Sequence, residues 1–213
     1  LLSVGRLPDG FAVSEALIPP GQDHARLTIT APPGAQATTF SLAVAGRAAI
    51  DQGEVFREAL PAEEIMQAFS SRHRIPTREM LMAVLEATAF TLAAEVPSGG
   101  ILELRQGETA RLTIRAVRVQ NAGGSIKLEA DSPQNGLTVR GAVIAAGQDE
   151  ATLAVTVTKK LPAGLRYNLI IVGTMRAGRE TFVRTAPAVP IRVLEAKPPE
   201  TRPAPNTGRR MSL

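Results

Sequence analysis

The chain has 213 residues, with 24 Lys and Arg against 20 Asp and Glu, a net charge of +4 and a pI near 10.1. It has no cysteine, which excludes disulfides and thiolate metal sites, and no apolar run of about 18 residues, which excludes a membrane-spanning helix. Its basic side chains mostly stand singly between apolar ones, and the small clusters at Arg72–Arg74 and Arg209–Arg210 have no aromatic neighbours, so no nucleic-acid partner is expected.

The chain opens Leu-Leu-Ser-Val, with no initiator Met and no basic segment ahead of an apolar one. No signal peptide is legible there, and the true N-terminus is expected to lie upstream. From residue 10 the pattern is that of short strands, expected at 11–18, 25–31, 38–46, about 54–58 and 79–86. Val13, Leu27, Ile29, Phe40, Leu42 and Val44 supply an inward series at period two. Pro32-Pro33-Gly34 is a turn.

Between the last two of these strands lies LPAEEIMQAFSSRHRIPT, residues 60–77. Pro61 fits a first helical position, Glu63 and Glu64 fit a first turn, and Ile65 and Phe69 are four apart, so the segment predicts a short helix stopped by Pro76. Ile65, Met66 and Phe69 would form an apolar patch, with Arg72, His73 and Arg74 following it. This is the candidate interaction surface, either packed on a sandwich edge or lying in a seam between domains.

Further strands are expected at 90–95, 101–105 and 109–115. In the third, Ala110, Leu112 and Ile114 alternate with Thr109, Arg111, Thr113 and Arg115. Val117 and Val119 fall on the opposite parity, which predicts a bulge near Ala116. After a hairpin at 121–124 come Ile126, Leu128 and Ala130, then strands at 137–144, 151–158, 167–172, 180–184 and 189–194. Residues 197–213 are Pro-rich and polar, with no apolar period, and are expected to be a disordered tail.

Two stretches are the same pattern. Gly10–Thr30 and Gly136–Thr156 agree at 10 of 21 positions at a constant offset of 126, sharing G-x-x-V-x-x-A-x-I-x-x-G-Q-D-x-A-x-L. The match resumes one residue out of phase at 40–46 against 167–173, and ends with 83–87 against 192–196. The fold class expected is therefore all-β, two tandem sandwich repeats with one short helical insertion. Residues 1–87 read as a unit lacking its first strands, 88–196 as a complete unit, and the insertion 60–77 as the feature that distinguishes them.

No residue set reaches the strength of a catalytic signature. His24 takes the place of Glu150 and reads as an outward surface residue, and His73 lies between two guanidinium groups that disfavour its charged form. Ser70 and Ser71 lie near His73 but not in a nucleophile elbow. The repeated Gln22-Asp23 and Gln148-Asp149 read as turn residues, since Asp accepts backbone N–H bonds in tight turns. Asp51 with Glu54, and Asp131 with Asn135, are too sparse for a calcium site. No cofactor is expected.

The run Leu161–Thr174, LPAGLRYNLIIVGT, preceded by 145–153 and followed by a charged hairpin and a closing strand, resembles the immunoglobulin-like tandem repeats of large bacterial exported proteins. It is especially similar to those of planctomycete-type proteins, which often carry pre-peptidase-like modules. Gly164, Tyr167, Leu169 and Gly173 match the run before the last hairpin of such repeats, and Gly34, Phe40, Leu42 and Gly46 match it more loosely. The resemblance covers most of 7–58 and 88–196. It implies an immunoglobulin-like fold and an extracellular, cell-surface or periplasmic location, and it transfers no catalytic or ligand residue. The expected function is a non-catalytic structural or spacer module whose partners are neighbouring domains of a longer polypeptide. The alternative is a module binding protein or a cell-wall or glycan polymer through 60–77 or a sandwich face. The scarcity of Trp and Tyr counts against a sugar platform. An enzyme would need a cleft joining His24 or His73 to an acid and a nucleophile.

Overall fold

The computed structural model describes residues 1–66, 72–85, 89–97, 99–119 and 122–197, and every regular element in it is a β-strand. The first group is β1 (Leu2–Gly5), β2 (Ala12–Val13), β3 (Ile29–Thr30), β4 (Thr38–Ile50), β5 (Gly53–Glu58), β6 (Ala62–Met66), β7 (Arg72–Pro76) and β8 (Met80–Val84). The second is β9 (Phe90–Ala94), β10 (Leu102–Arg105), β11 (Thr109–Arg118), β12 (Ile126–Ala130), β13 (Leu137–Arg140), β14 (Ala142–Ile144), β15 (Glu150–Val157), β16 (Arg166–Leu169), β17 (Ile171–Ala177), β18 (Glu180–Thr185) and β19 (Val189–Leu194).

The second group is a β-sandwich. One sheet has the order β13-β15-β11-β9, and the facing layer is β14-β12-β17-β18 with β10-β19-β16 beside it. All its pairs are antiparallel except β10 with β19. Alternation sets which side chains meet: Leu112, Ile114 and Ala116 of β11 and Leu153, Val155 and Val157 of β15 point inward onto Ile126, Leu128 and Ile171, and all are buried. Leu, Ile and Val fill this core almost alone, with Phe90 as its one fully buried aromatic among the described residues. Gly173 is required there, because an added Cβ would stand 2.8 Å from Leu92 Cδ1 and 3.2 Å from Phe90 Cε2.

The strand pairing of the first group follows the second at the offsets found in the sequence. Val13 faces Ile29 as Val139 faces Val155, and Leu2 bridges Ala16 as Leu128 pairs Ala142. Gly46 pairs both Leu2 and Arg57, as Gly173 pairs Leu128 and Arg184. Phe40 pairs Met82 as Tyr167 pairs Ile191. The turns match too. Gly21 and Gly147 have φ of 74° and 77°, and the N–H groups of Gln22 and Gln148 bond to the carbonyls of Pro19 and Ala145. These are type II turns, in which the third position needs the positive φ that glycine takes without strain.

The helix expected in 60–77 is corrected. Ala62–Met66 and Arg72–Pro76 are antiparallel strands, paired from Ala62 opposite Pro76 to Met66 opposite Arg72, and Thr77 N–H bonds to Pro61 C=O at the base. The helical cues lost because so short a helix is marginal without an apolar face packed on something. Folding back instead satisfies the backbone within the segment and sets Glu64 opposite Arg74. The ribbon occupies a break in the last strand: 59–79 separates β5 from β8, whereas 186–188 separates β18 from β19, a difference equal to the 18 residues of 60–77.

The bulge expected near Ala116 is also absent. β11 runs unbroken to Arg118 in one register with β9, Ala116 is buried, and Val117 and Val119 face solvent at 71% and 43% exposure. Phe69 and the tail after Lys197 lie outside the described residues, as do Ala87 and Thr88 of the connection between the two groups.

Candidate functional site

Of the described sequence candidates, Ile65 and Met66 do not share one face. Ile65 and Met66 are adjacent on β6, so their side chains leave opposite faces of the ribbon, Ile65 beside His73 and Met66 on the side of Arg74. Ile65, Met66 and Ile75 are exposed at 40%, 68% and 44%, and His73 and Arg74 are exposed. Among the named strands, β6 and β7 make extended contact only with each other. Arg74 comes near enough to Asp23 to add a small Coulombic contribution to the lowering of its carboxyl pKa, behind the larger effect of the hydrogen bond from His24. Asp23 belongs to the first group, so this is a contact within that group.

The contact between the two groups is made elsewhere, by residues 14–28 of the first against 131–134, 166–168 and 188 of the second. Asn168 Nδ2 donates to the carbonyls of Glu15 at 2.7 Å and Arg26 at 2.8 Å. Arg26 donates to the backbone carbonyl of Asp131 and, at 2.6 Å, to its carboxylate. That hydrogen bond is the main reason the Asp131 carboxyl sits below its ordinary range. Gln134 donates to Gln22 at 3.2 Å, and Ala188 N–H donates to Thr28 Oγ1 at 2.8 Å. A crevice is lined by Arg26–Thr30 of the first group and by Thr185, Ala186 and Pro187 of the second.

A cleft of about 220 Å³ opens at this seam, with Leu17, Ile101 and Leu165 among its apolar walls and His24, Gln134 and Arg166 among its polar ones. Its basic groups already face acids. Arg166 lies 3.6 Å from Glu15, Arg26 is held by Asp131, and His24 Nδ1 is 2.6 Å from Asp23. His24 is exposed, as its parity with Glu150 predicts. The Tyr167 ring forms part of the wall, while its hydroxyl oxygen is buried with no hydrogen-bond partner, and burial pushes its pKa up. The arrangement offers hydrogen bonding and shape. No group of three or more His, Cys, Asp or Glu that could hold a metal ion occurs among the described residues, and no helix there is long and apolar enough to cross a membrane.

Sequence reasoning missed Asn168 and the seam it makes. The available signal was one amide between Tyr167 and the apolar run Leu169–Val172.

No family model matches the chain, and no curated protein matches it. Among solved structures, it is similar to a two-domain protein of unknown function from Bacteroides fragilis, at 12% identity and a TM-score of 0.29 over 49% of this chain and 46% of that one. It is similar to domains 4 and 5 of the S-layer protein SbsC, at 16% identity and 0.29 over 86% and 69%. A third is an endo-fucoidan hydrolase of glycoside hydrolase family 107, at 12% and 0.28 over 92% and 39%. The chain thus spans less than half of the first and third of these proteins. At these scores nothing about its activity follows from them.

Proposed function

We propose that the chain is a non-catalytic connecting module of an exported multidomain bacterial protein, built from two immunoglobulin-like units held at a set angle. The tandem reading is supported by the shared pairing register. The immunoglobulin-like reading is supported by the layer β9-β11-β15-β13 facing β14-β12-β17-β18, with β10 crossing over to run parallel to β19. Export and a bacterial source rest on the resemblance of Leu161–Thr174 alone.

One observation carries the connecting role: Asn168 donates from a single nitrogen to two carbonyls of the other unit. Such a bond fixes orientation as well as proximity, because both acceptors must stay in the plane of the amide. A linker alone leaves relative motion as the default between domains. Asn168→Asp replaces the donor with an acceptor facing two carbonyls. The chain has no cysteine, so Ala49→Cys and Thr138→Cys carry spin labels at unique sites. The expected result is a broadened distance distribution between the labels in the Asn168→Asp protein. An unchanged distribution would refute a set angle.

A second reading, a protein-binding module, is favoured by the exposed Ile65, Met66 and Ile75 on the 60–77 ribbon. Isolated two-stranded hairpins are marginal, and a partner strand or surface would order this one.

A further inference from the structure

The two units differ in how well an equivalent set of side chains is covered. Ile144 is fully buried and its counterpart Ile18 is 41% exposed; Val189 is fully buried and Met80 is 42% exposed. Leu128, Leu153 and Val155 are buried, while Leu2, Leu27 and Ile29 are half-buried.

The sheet edges differ in the same way. β15 pairs β13 on one side and β11 on the other, from Thr109 opposite Thr156 to Arg115 opposite Glu150. β3 pairs β2 alone. Ser14 N–H bonds to Thr28 C=O, so by the alternation of an antiparallel ladder the backbone groups of Leu27 and Ile29 point to the opposite edge, where no described strand pairs. Residues 24–30 alternate as 150–156 do, yet only Ile29–Thr30 is strand where Glu150–Val157 is. The missing ladder partner accounts for the shorter strand.

Glycine supplies a third observation. Gly173 makes room for Phe90 and Leu92 of β9. Gly46 holds the same register position, but an added Cβ there meets nothing nearer than Leu2 Cδ2 at 3.6 Å. Among the described residues, none fills in the first unit the space that β9 fills in the second.

We propose that the free edge of β3 and the apolar face behind it take a strand segment with the pattern of β9–β11, from a further unit of the same kind. The proposal rests on reading the two units as copies. A second copy of this chain is a poor donor, because its own Phe90, Leu112 and Ile114 are fully buried in its second unit. The occupant would present apolar residues at every second position, paired antiparallel opposite Leu27 and Ile29, with an aromatic over Gly46. An open edge of this kind is a template for strand addition.

At the offset of 126, Ile126 falls immediately before Leu1. Residues 88–126 placed ahead of Leu1 in the full chain therefore supply the segment in register. The measurement is amide hydrogen exchange at residues 25–31, with 150–157 as an internal reference. Exchange at 25–31 is expected to slow by about tenfold or more in the grafted protein. It should stay fast when the grafted copy carries Leu112→Asp and Ile114→Asp, or when Gly46→Leu fills the space over β4. No slowing, as when Thr185–Pro187 already close that edge, overturns the proposal, and so does equal slowing with the aspartate graft. The Asn168 distance measurement reads the set angle independently, so either result can fail without the other.

Discussion

Arg118 closes one end of the second unit without a carboxylate partner among the described residues. Its Nη1 donates to the carbonyls of Ala122 at 3.0 Å and Gly124 at 2.6 Å, and its Nη2 donates to those of Ala145 and Gln148 at 3.2 Å each. Nε also reaches Gln148 at 3.3 Å, and Met175 Sδ lies 3.7 Å from Nη1. One planar cation thus ties the connection that crosses from β11 to β12 in the facing sheet to the β14–β15 turn. Arg118→Met keeps the stem and removes the donors. A hydrogen bond with a charged donor is worth about 1.5–3 kcal/mol, but these carbonyls lie in turns that water can reach once the guanidinium is gone, so the set is expected to be worth about 2–3 kcal/mol. For a unit of this size that lowers the melting temperature by roughly 8–20 °C. Tyr167 is the only tyrosine of a chain without tryptophan, so tyrosine fluorescence in urea reads the second unit and its seam with the first. Arg118→Lys, a point charge on a flexible stem, should recover less than half of the loss. A loss below about 0.5 kcal/mol for Arg118→Met would refute the argument, since it would mean the carbonyls are equally well served by solvent.

Tyr167→Phe should leave the melting temperature unchanged or raise it slightly, because the hydroxyl is buried with no partner and its removal sheds a desolvation cost of about 1–3 kcal/mol; a clear destabilisation by calorimetry would show that the oxygen is bonded. The Arg26–Asp131 bond gives the seam a pH dependence. The Asp131 carboxyl is depressed in the folded chain, so its contribution is complete above the ordinary aspartate pKa of about 4 and is lost as pH falls through the folded value. Both side chains are about two-fifths exposed, which keeps the effect within about 1 kcal/mol. The label distances should broaden below about pH 4 in the wild type, and Asp131→Asn should broaden them at neutral pH and remove that acid response.

The parts of the fold legible in sequence are those where a residue type answers to its own backbone. Gly21 and Gly147 mark the same turn because both need positive φ, and Leu153 and Val155 are buried as their parity requires. The 60–77 segment differs from its expected helix because Pro61, Glu63 and Glu64 carry helical cues over too few residues, and the strand pairing that overrides them sets Met66 opposite Arg72. The pair Val117 and Val119 misled for a different reason: apolar side chains at the sandwich rim face water, and Ala116, the small residue between them and Ile114, is the one in the core. The residues that make the seam were not legible. Asn168 bonds carbonyls, which every residue has, so no complementary side chain on the first unit announces it.

The parallel ladder between β10 and β19 has a mechanical consequence. Leu102 to Arg105 lie beside Ile191 to Leu194, running the same way. Once β9 has been drawn off β11, tension carried from the N-terminal side into β10 and out through β19 pulls these two strands in opposite directions along their common axis. The rungs of the ladder are then sheared together instead of peeled one after another, and rupture must break them as a group. The hairpin β17–β18, whose strands run antiparallel into a turn, lies off that line of force and stays slack while the terminal clamp bears the load.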